Sequence, residues 1–190
     1  MHVPDARPHR VSIVGSTGTG KTTFARDLAS IIGAVHIELD ALAWGPKWKL
    51  ADAEVLRARV RDALTADSWV VDGNYGGRGA RELVWAAADT IVWLDFSLPV
   101  IYRRLWTRTI TRIRDGQELW PGTGNRETIR GAFFSSESLF VWVLRTYRRR
   151  RREYPALLAL PQYAHAQRLR FRSPAEAAGW LERQRSAARI

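Results

Sequence analysis

Near the amino terminus, Gly15–Thr22 fits the pattern Gly-x-x-x-x-Gly-Lys-Ser/Thr and lies between an apolar run and a helical pattern. The glycines let the backbone curl so that successive N–H groups hold an anion, and the positive end of the following helix adds to this. Lys21 can then reach the terminal phosphates of ATP, and the hydroxyl of Thr22 can bind Mg²⁺. The spacing predicts an ATP-binding loop made of Gly15, Ser16, Thr17, Gly18, Thr19, Gly20, Lys21, Thr22 and Thr23.

Three aspartates, Asp40, Asp72 and Asp95, follow predicted strands, at the edge of a sheet where ligands bind. Asp40 is suited to position or deprotonate a hydroxyl that accepts a phosphoryl group, and Asp72 to contact Mg²⁺ through water. Gly73 would let a substrate approach the backbone closely. The sequence leaves open whether Asp40 or Asp95 is the base, and any single one could instead be a helix cap or a turn residue.

Arginines supply the positive charge that phosphoryl transfer needs. Arg104, Arg108 and Arg112 are spaced four apart, so they share one face of a predicted helix. This face could simply be solvated, or it could close over ATP as a lid, because a Gly/Pro-rich loop at 115–124 follows it. Lys21, Asp40, Arg108 and Arg112 are therefore candidates for catalysis.

The chain of 190 residues has a formal net charge of +11. Thirteen arginines and four acidic residues lie in 101–152, so most of the excess belongs to one segment. A hydrophobic content of 46% excludes wholesale disorder, and the lack of cysteine excludes disulfide scaffolds and cysteine-based metal sites. With no apolar run long enough for a membrane span and no signal-peptide core, we expect a cytoplasmic protein without membrane contact.

Apolar patterns alternate between strands and helices along the chain. The predicted strands are 11–14, 35–39, 69–71, 90–94 and 169–171. The predicted helices are 22–32, 53–66, 99–114, 139–152 and 174–185, the last opened by Ser173 and Glu176 as a capping box. This alternation predicts an α/β fold with a five-stranded parallel sheet and helices on both faces.

Four parts of the chain carry a resemblance to known proteins. They are Val14–Thr23, Ile37–Asp40 followed by Trp44, Pro46 and Trp48, Val71–Tyr75, and Glu118–Trp120 with Gly124–Glu127. In these parts the chain is similar to the adenylate-kinase-like branch of P-loop kinases and their shikimate- and gluconate-kinase relatives. It resembles more closely the small bacterial proteins known as adenylate kinase-like or DNA topology modulation proteins.

The resemblance implies one P-loop kinase-like domain over 1–190, of the three-layer P-loop NTPase fold with strand order 2-3-1-4-5. It also implies a substrate-binding helical segment at about 41–66 and an arginine-bearing helical lid at about 104–130. Arg108, Arg112 and Arg126 of this lid would close over the phosphates. The residues predicted to bind the acceptor are Asp40, Trp44, Gly73, Asn74 and Tyr75.

The identity of the acceptor stays open. Adenylate kinases carry Asp-Gly-Phe-Pro-Arg after the third strand, and that arginine holds a nucleotide phosphate, whereas here Asn74 and Tyr75 follow Asp72 and Gly73. The tryptophans at 44 and 48 could form an aromatic wall of the acceptor site, or they could pack in the core or the lid.

We expect an ATP-dependent kinase that moves the γ-phosphate of Mg-ATP to a small-molecule acceptor, a nucleotide or another metabolite. A nucleic-acid-associated P-loop NTPase is the alternative, motivated by Arg145 and by the run Arg148–Arg152. No helix-turn-helix, zinc-finger or RNA-binding motif accompanies these arginines. A regulatory nucleotide-binding protein without catalysis is the third possibility, and the oligomeric state stays open.

Overall fold

A central sheet of five parallel strands organises the fold, in a computed structural model that describes residues 8–128 and 139–189. Its strands are β1 Arg10–Gly15, β2 Val35–Glu38, β5 Trp69–Asp72, β6 Thr90–Leu94 and β7 Gln167–Phe171. Two very short strands, β3 Trp44–Gly45 and β4 Lys49–Leu50, pair antiparallel as a separate hairpin.

Helices connect the strands. Within the described residues they are α1 Lys21–Ile32, α2 Leu39–Ala43, α3 Ala53–Ala63, α4 Ala80–Ala87, α5 Leu98–Arg114, α6 Leu139–Leu158 and α7 Pro174–Ala188. Short 3₁₀ turns lie at Pro46–Trp48, Gly76–Arg78 and Pro161–Tyr163. None of the helices in these two described ranges is both long and apolar enough to cross a membrane.

The α/β architecture confirms the predicted fold class. The strand order is β2-β5-β1-β6-β7, with every neighbouring pair parallel. It differs from the predicted 2-3-1-4-5 in its labels, because the hairpin β3–β4, which was not predicted, takes two numbers before β5. The order places β1, and the loop that follows it, at the centre of the sheet between β5 and β6.

Apolar side chains cover both faces of the sheet. On one face, Phe24 of α1 stacks on Trp180 of α7 with ring centroids 6.0 Å apart, and on the other Trp85 of α4 meets the ring of Tyr154 at 6.1 Å. Helix α6 contributes to both layers, because Tyr147 belongs to the first cluster and Tyr154 to the second. The middle of α6 therefore passes from one layer to the other.

One predicted boundary was wrong in a way that affects the site. The strand predicted over 35–39 ends at Glu38, and Asp40 lies in the first turn of α2 instead of directly after the strand. Leu39 and Ala43 are both buried in α2, so an apolar pair four residues apart fixes this short helix on the core. The Asp40 carboxylate is thus held by a helical turn.

The start of the final helix, α7, follows from residues that are close together in the sequence. The hydroxyl of Ser173 accepts a hydrogen bond from the backbone N–H of Glu176 at 3.2 Å, and the Glu176 carboxylate accepts one from the N–H of Arg172 at 2.8 Å. Ser173 therefore caps the helix as predicted, whereas the Glu176 carboxylate completes a variant of the capping box by bonding the N–H before the cap residue instead of the N–H of Ser173. Helix α4 was not predicted, although it buries Val84 and Trp85 between α3 and the sheet.

Candidate phosphoryl-transfer site

The loop 15–23, between β1 and the first turn of α1, has the curled conformation of an anion-binding nest. Gly18 and Gly20 both have a φ of 87°, which favours glycine. A Cβ on Gly18 would lie 2.9 Å from the carbonyl oxygen of Ile101 in α5, so the loop is packed tightly on that helix. Arg104, also in α5, donates to the carbonyl oxygen of Thr19 at 2.8 Å and fixes the loop from outside.

Lys21 lies inside this loop, where its Nζ donates to the carbonyl oxygen of Ser16 at 3.1 Å. Burial, together with the positive charge of Arg150, lowers the pKa of Lys21 to about 8. The carboxylates of Asp40 and Asp72 act in the opposite direction. The lysine is therefore a desolvated cation close to both predicted carboxylates, and binding phosphate would relieve its unfavourable burial.

We expect binding of a non-hydrolysable ATP analogue to take up protons at a pH of about 8.5, above the pKa of about 8 of Lys21 in the free protein. Phosphate charge raises that pKa on binding, so affinity is insensitive to this group well below pH 8 and falls as the pH rises above it. Calorimetry in two buffers of different ionisation enthalpy measures the uptake. Lys21→Arg stays protonated and should show none; equal uptake by the variant would refute the assignment.

Thr22 and Asp72 lie together, as a Mg²⁺ site would require. The Thr22 hydroxyl donates to Oδ2 of Asp72 at 2.6 Å. Asp72 is buried, and its Oδ1 has no hydrogen-bond partner among the described residues; Nε2 of His36 approaches it to 3.4 Å. A hydroxyl and a buried carboxylate with an unsatisfied oxygen fit Mg²⁺, which needs few protein ligands when phosphates supply the others.

Two further carboxylates, those of Asp40 and Glu38, interact with the charge of Asp72 or Lys21, and each has a neutral hydrogen-bond donor. Tyr75 donates its hydroxyl to Oδ1 of Asp40 at 2.6 Å, and Nε1 of Trp120 donates to Oε1 of Glu38 at 3.4 Å. Burial raises the pKa of Tyr75, and the charge of Asp40 adds to it. Burial likewise raises the pKa of Glu38, with further contributions from the charges of Asp72 and Asp40.

Three tryptophans, Trp44, Trp48 and Trp120, form a cluster beside these carboxylates. Trp44 and Trp120 are near-parallel, with centroids 6.4 Å apart and 11° between planes. Trp48 meets both of them nearly edge-on, at 5.9 Å each. Asn125 binds the hairpin to the lid, because its amide accepts from the N–H of Trp48 at 3.0 Å and donates to the carbonyl oxygen of Gly45 at 2.9 Å.

The predicted lid arginines do not all point to the same place. Arg108 and Arg112 approach Oε1 of Glu127 at 3.7 and 3.1 Å, and burial lowers the pKa of Arg108. Arg126 is exposed, and its backbone pairs with that of Glu118 in an isolated antiparallel β-bridge. The sequence did not indicate Glu127 as a site residue, because its pairing with two arginines of α5 exists only in the folded loop. The predicted lid residues 129–130 lie outside the described residues.

The sequence also did not distinguish Arg150 from its neighbours, because it lies in a run of five arginines. It is 8% exposed, burial lowers its pKa, and its Nη1 has no hydrogen-bond partner within the described ranges. Its positive charge lowers the pKa of Lys21. Helix α6 also contacts the same edge of the sheet, because the hydroxyl of Tyr154 donates to Oδ1 of Asn74 at 2.9 Å. A buried cation beside the phosphate loop is thus supplied by α6.

Asp95 is held by two arginines. Nε of Arg151 donates to Oδ1 at 2.7 Å, and Nη2 of Arg170 donates to Oδ2 at 2.6 Å. Both oxygens of this buried carboxylate are therefore engaged, although the two arginines themselves are exposed. The arrangement favours Asp40 over Asp95 as the base.

Asn74 and Gly73 support the loop and the core. The Asn74 amide pairs with Gly15, accepting from its N–H at 3.2 Å and donating to its carbonyl oxygen at 2.9 Å. A Cβ on Gly73 would lie 2.6 Å from Cβ of Leu39, so that space is filled by protein. These contacts give Asn74 a positioning role, and they place Leu39 directly against the backbone of Gly73.

We expect Gly73→Ala to lower the free energy of unfolding by about 2–3 kcal/mol, because its φ of 140° and the contact with Leu39 both oppose a side chain. Urea denaturation followed by circular dichroism measures the loss. Gly77→Ala is the matched control, since nothing lies within 4 Å of a Cβ there. It should change stability by less than about 0.5 kcal/mol; equal losses in the two variants would contradict the argument.

A cleft of about 430 Å³ opens beside the phosphate loop, between α5 and the start of α7. Pro99, Val100, Arg103, Arg104 and Pro174 line it. Arg104 links it directly to the loop through Thr19. Its apolar floor and arginine rim suit the base and ribose of a nucleotide.

Solved structures share this architecture over nearly the whole chain. Shikimate kinase from Bacteroides thetaiotaomicron is 17% identical, with a TM-score of 0.51 over 96% of this chain and 99% of that one. Gluconokinase from Sinorhizobium meliloti 1021 is 20% identical, with a TM-score of 0.52 over 95% of each chain. Shikimate kinase from Acinetobacter baumannii, in complex with shikimate, is 14% identical, with a TM-score of 0.53 over 95% of this chain and 89% of that one.

The chain therefore has the fold of P-loop small-molecule kinases. No protein-family model and no curated protein sequence matches it. A shared fold does not identify the reaction, so function must be argued from the residues of the site.

Proposed function

We propose that the protein is a phosphotransferase that moves the γ-phosphoryl group of Mg-ATP to a hydroxyl of a small molecule. The observation that carries the proposal is the convergence of three features at one sheet edge. These are the curled loop around Lys21, the hydrogen-bonded pair of Thr22 and Asp72, and the Asp40 carboxylate, whose charge acts on Lys21. A phosphate cradle, a metal site and a base are what phosphoryl transfer requires.

ATP would lie across the loop 15–23, with its nucleoside in the cleft lined by Val100 and Arg104. Thr22 and Asp72 would hold Mg²⁺, which when bound neutralises charge on the phosphate oxygens. The reaction needs a compartment that supplies ATP, and we therefore propose a cytoplasmic location. Within the fold, 41–66 would hold the acceptor and 104–130 would cover the site.

Asp40 would act on the acceptor. Tyr75 holds its Oδ1, so that Oδ2 can accept the hydrogen of the acceptor hydroxyl. As the acceptor oxygen bonds to the γ-phosphorus, the bond from that phosphorus to the β–γ bridging oxygen breaks, and ADP keeps the electron pair. The hydroxyl proton passes to Asp40 and then to solvent, so the products are a phosphate ester, ADP and one proton.

Cations would stabilise the phosphoryl group as it moves. Lys21 lies inside the phosphate loop, and the charge of Arg150 acts on it. Arg108 and Arg112 would turn from Glu127 toward the phosphates when ATP binds. Arg126, exposed in the described structure, would reach the site only by a movement of the lid.

Single-turnover transfer from γ-labelled ATP into a small-molecule extract tests the proposal. We expect label in an organic phosphate ester, in an amount that matches the enzyme present. Lys21→Met is the negative control, because it removes the cation inside the phosphate loop. A folded preparation that binds ATP but labels no small molecule, or releases only inorganic phosphate, would overturn the proposal.

A further inference from the structure

The tryptophan cluster and two carboxylates form one surface at the acceptor end of the site. Trp120 belongs to both, because its ring stacks on Trp44 while its Nε1 donates to Glu38. Asp40 lies on the adjoining turn and is bonded to Tyr75, which packs against the same core cluster as Trp44. An acceptor whose hydroxyl reaches Asp40 would therefore meet indole faces and the Glu38 carboxylate with the rest of its body.

Glu38 and Asp40 accept hydrogen bonds from neutral donors, an indole N–H and a phenol hydroxyl, so neither bond brings a positive charge to these carboxylates. Two arginines, Arg59 and Arg78, bind backbone carbonyl oxygens instead of these carboxylates. Arg59 donates to the carbonyl oxygen of Leu42 at 2.7 Å, and Arg78 donates to that of Ala51 at 2.9 Å. An anionic acceptor would thus meet two negative groups at close range, which costs free energy in a half-buried site.

Aromatic faces and carboxylates together favour one chemical class. Indole rings attract cations through their π faces, most strongly among the aromatic side chains, and a nearby carboxylate adds direct charge attraction. Burial and the neighbouring acids raise the pKa of Glu38, so a positive ligand group beside it would relieve both effects.

We propose that the acceptor is an alcohol that carries an ammonium group, with its cation held by Trp44, Trp48, Trp120 and Glu38 and its hydroxyl directed at Asp40. This inference rests on the proposed function and specifies its substrate class. The hydroxyl proton leaves to Asp40 as the new O–P bond forms and ADP departs. The ammonium group is unchanged by the reaction.

Charge fractionation of the extract tests this directly. The small molecules are separated at neutral pH into cationic, neutral and anionic pools, and each pool is offered with γ-labelled ATP and Mg²⁺. We expect the labelled ester to form from the cationic pool, and transfer confined to the neutral or anionic pool would overturn the inference while leaving the kinase proposal intact. Transfer from no pool would instead be the failure of the proposed function.

Two substitutions then test the surface itself. Glu38→Gln keeps an acceptor for Trp120 but removes the charge, and it should raise the KM of the cationic acceptor about ten-fold or more with the KM of ATP unchanged. Glu182→Gln in α7, exposed and paired with Arg185, is the matched control and should change neither. An unchanged acceptor KM in Glu38→Gln would overturn the inference.

Trp48 offers a second variant with little risk to folding, because it is 45% exposed. Trp48→Leu should raise the acceptor KM several-fold, and Trp48→Phe should restore part of the loss because it keeps a π face. A neutral sugar and its aminated form, glucose and glucosamine, provide a matched pair for binding by calorimetry. Equal affinity for the two would count against a cation site.

Discussion

Asp40→Asn should slow phosphoryl transfer by about 10² to 10⁴-fold while leaving the affinity for an ATP analogue unchanged. The amide cannot take the hydroxyl proton, yet it has nearly the same size and can still accept the hydrogen bond that Tyr75 now donates to Oδ1. Single-turnover rates and analogue binding, measured on the same preparation, separate the two effects. The loss should appear in kcat rather than in the KM for ATP.

Asp62→Asn is the matched control, since Asp62 is an exposed aspartate of α3 and should leave transfer within two-fold of the parent. A wild-type rate in Asp40→Asn would exclude Asp40 as the base. Tyr75→Phe adds a second measurement, because it keeps the carboxylate but removes the donor that orients it. An intermediate rate with a changed pH profile is expected if Tyr75 positions the base.

Local signals in the sequence determined the framework and the phosphate loop. The strand Thr90–Leu94 has its predicted bounds because it is a bounded apolar run, and the capping box at Ser173 is a contact within four residues. The loop motif likewise fixes its own conformation through its glycines, so its place between β1 and α1 followed from spacing alone.

Contacts between distant parts of the chain could not be predicted in this way. The hairpin β3–β4 has two residues in each strand, too few for a periodic pattern, and it is held by Asn125 from the lid, 80 residues beyond Gly45. Glu127 and the indole N–H of Trp120 acquire their roles only when the lid loop lies over α5 and β2. The proposed acceptor site is defined by such contacts, whereas the phosphate loop is defined by a motif of consecutive residues.

The arginine run at 148–152 shows the same difference between what a local sequence pattern predicts and what only the folded chain shows. The sequence shows Arg148–Arg152 as one basic run and cannot separate a nucleic-acid surface from an active-site group. In the fold, helical geometry turns these side chains to different sides of α6. Arg151 pairs with Asp95 and Arg150 is buried beside the phosphate loop, whereas Arg149 is exposed and approaches Glu153 at 3.8 Å.

Arg150→Ala should therefore reduce transfer by about 10³-fold or more, the effect expected of an arginine that stabilises a migrating phosphoryl group. It should not destabilise the protein strongly, because it removes a buried cation whose Nη1 lacks a partner among the described residues. Thermal unfolding and single-turnover transfer together distinguish this from a structural role. Arg150→Lys should recover part of the rate, since it keeps the charge without the two-pronged geometry.

Arg149→Ala is the control that decides between the two interpretations of the run. It removes the same charge one position away on the exposed side of α6, so transfer should stay within two-fold of the parent. A nucleic-acid surface would behave in the opposite way: duplex binding, steep in salt, would weaken in Arg149→Ala at least as much as in Arg150→Ala. Equal and small effects of both variants on transfer would remove Arg150 from the site and leave Lys21 with the lid arginines as its cations.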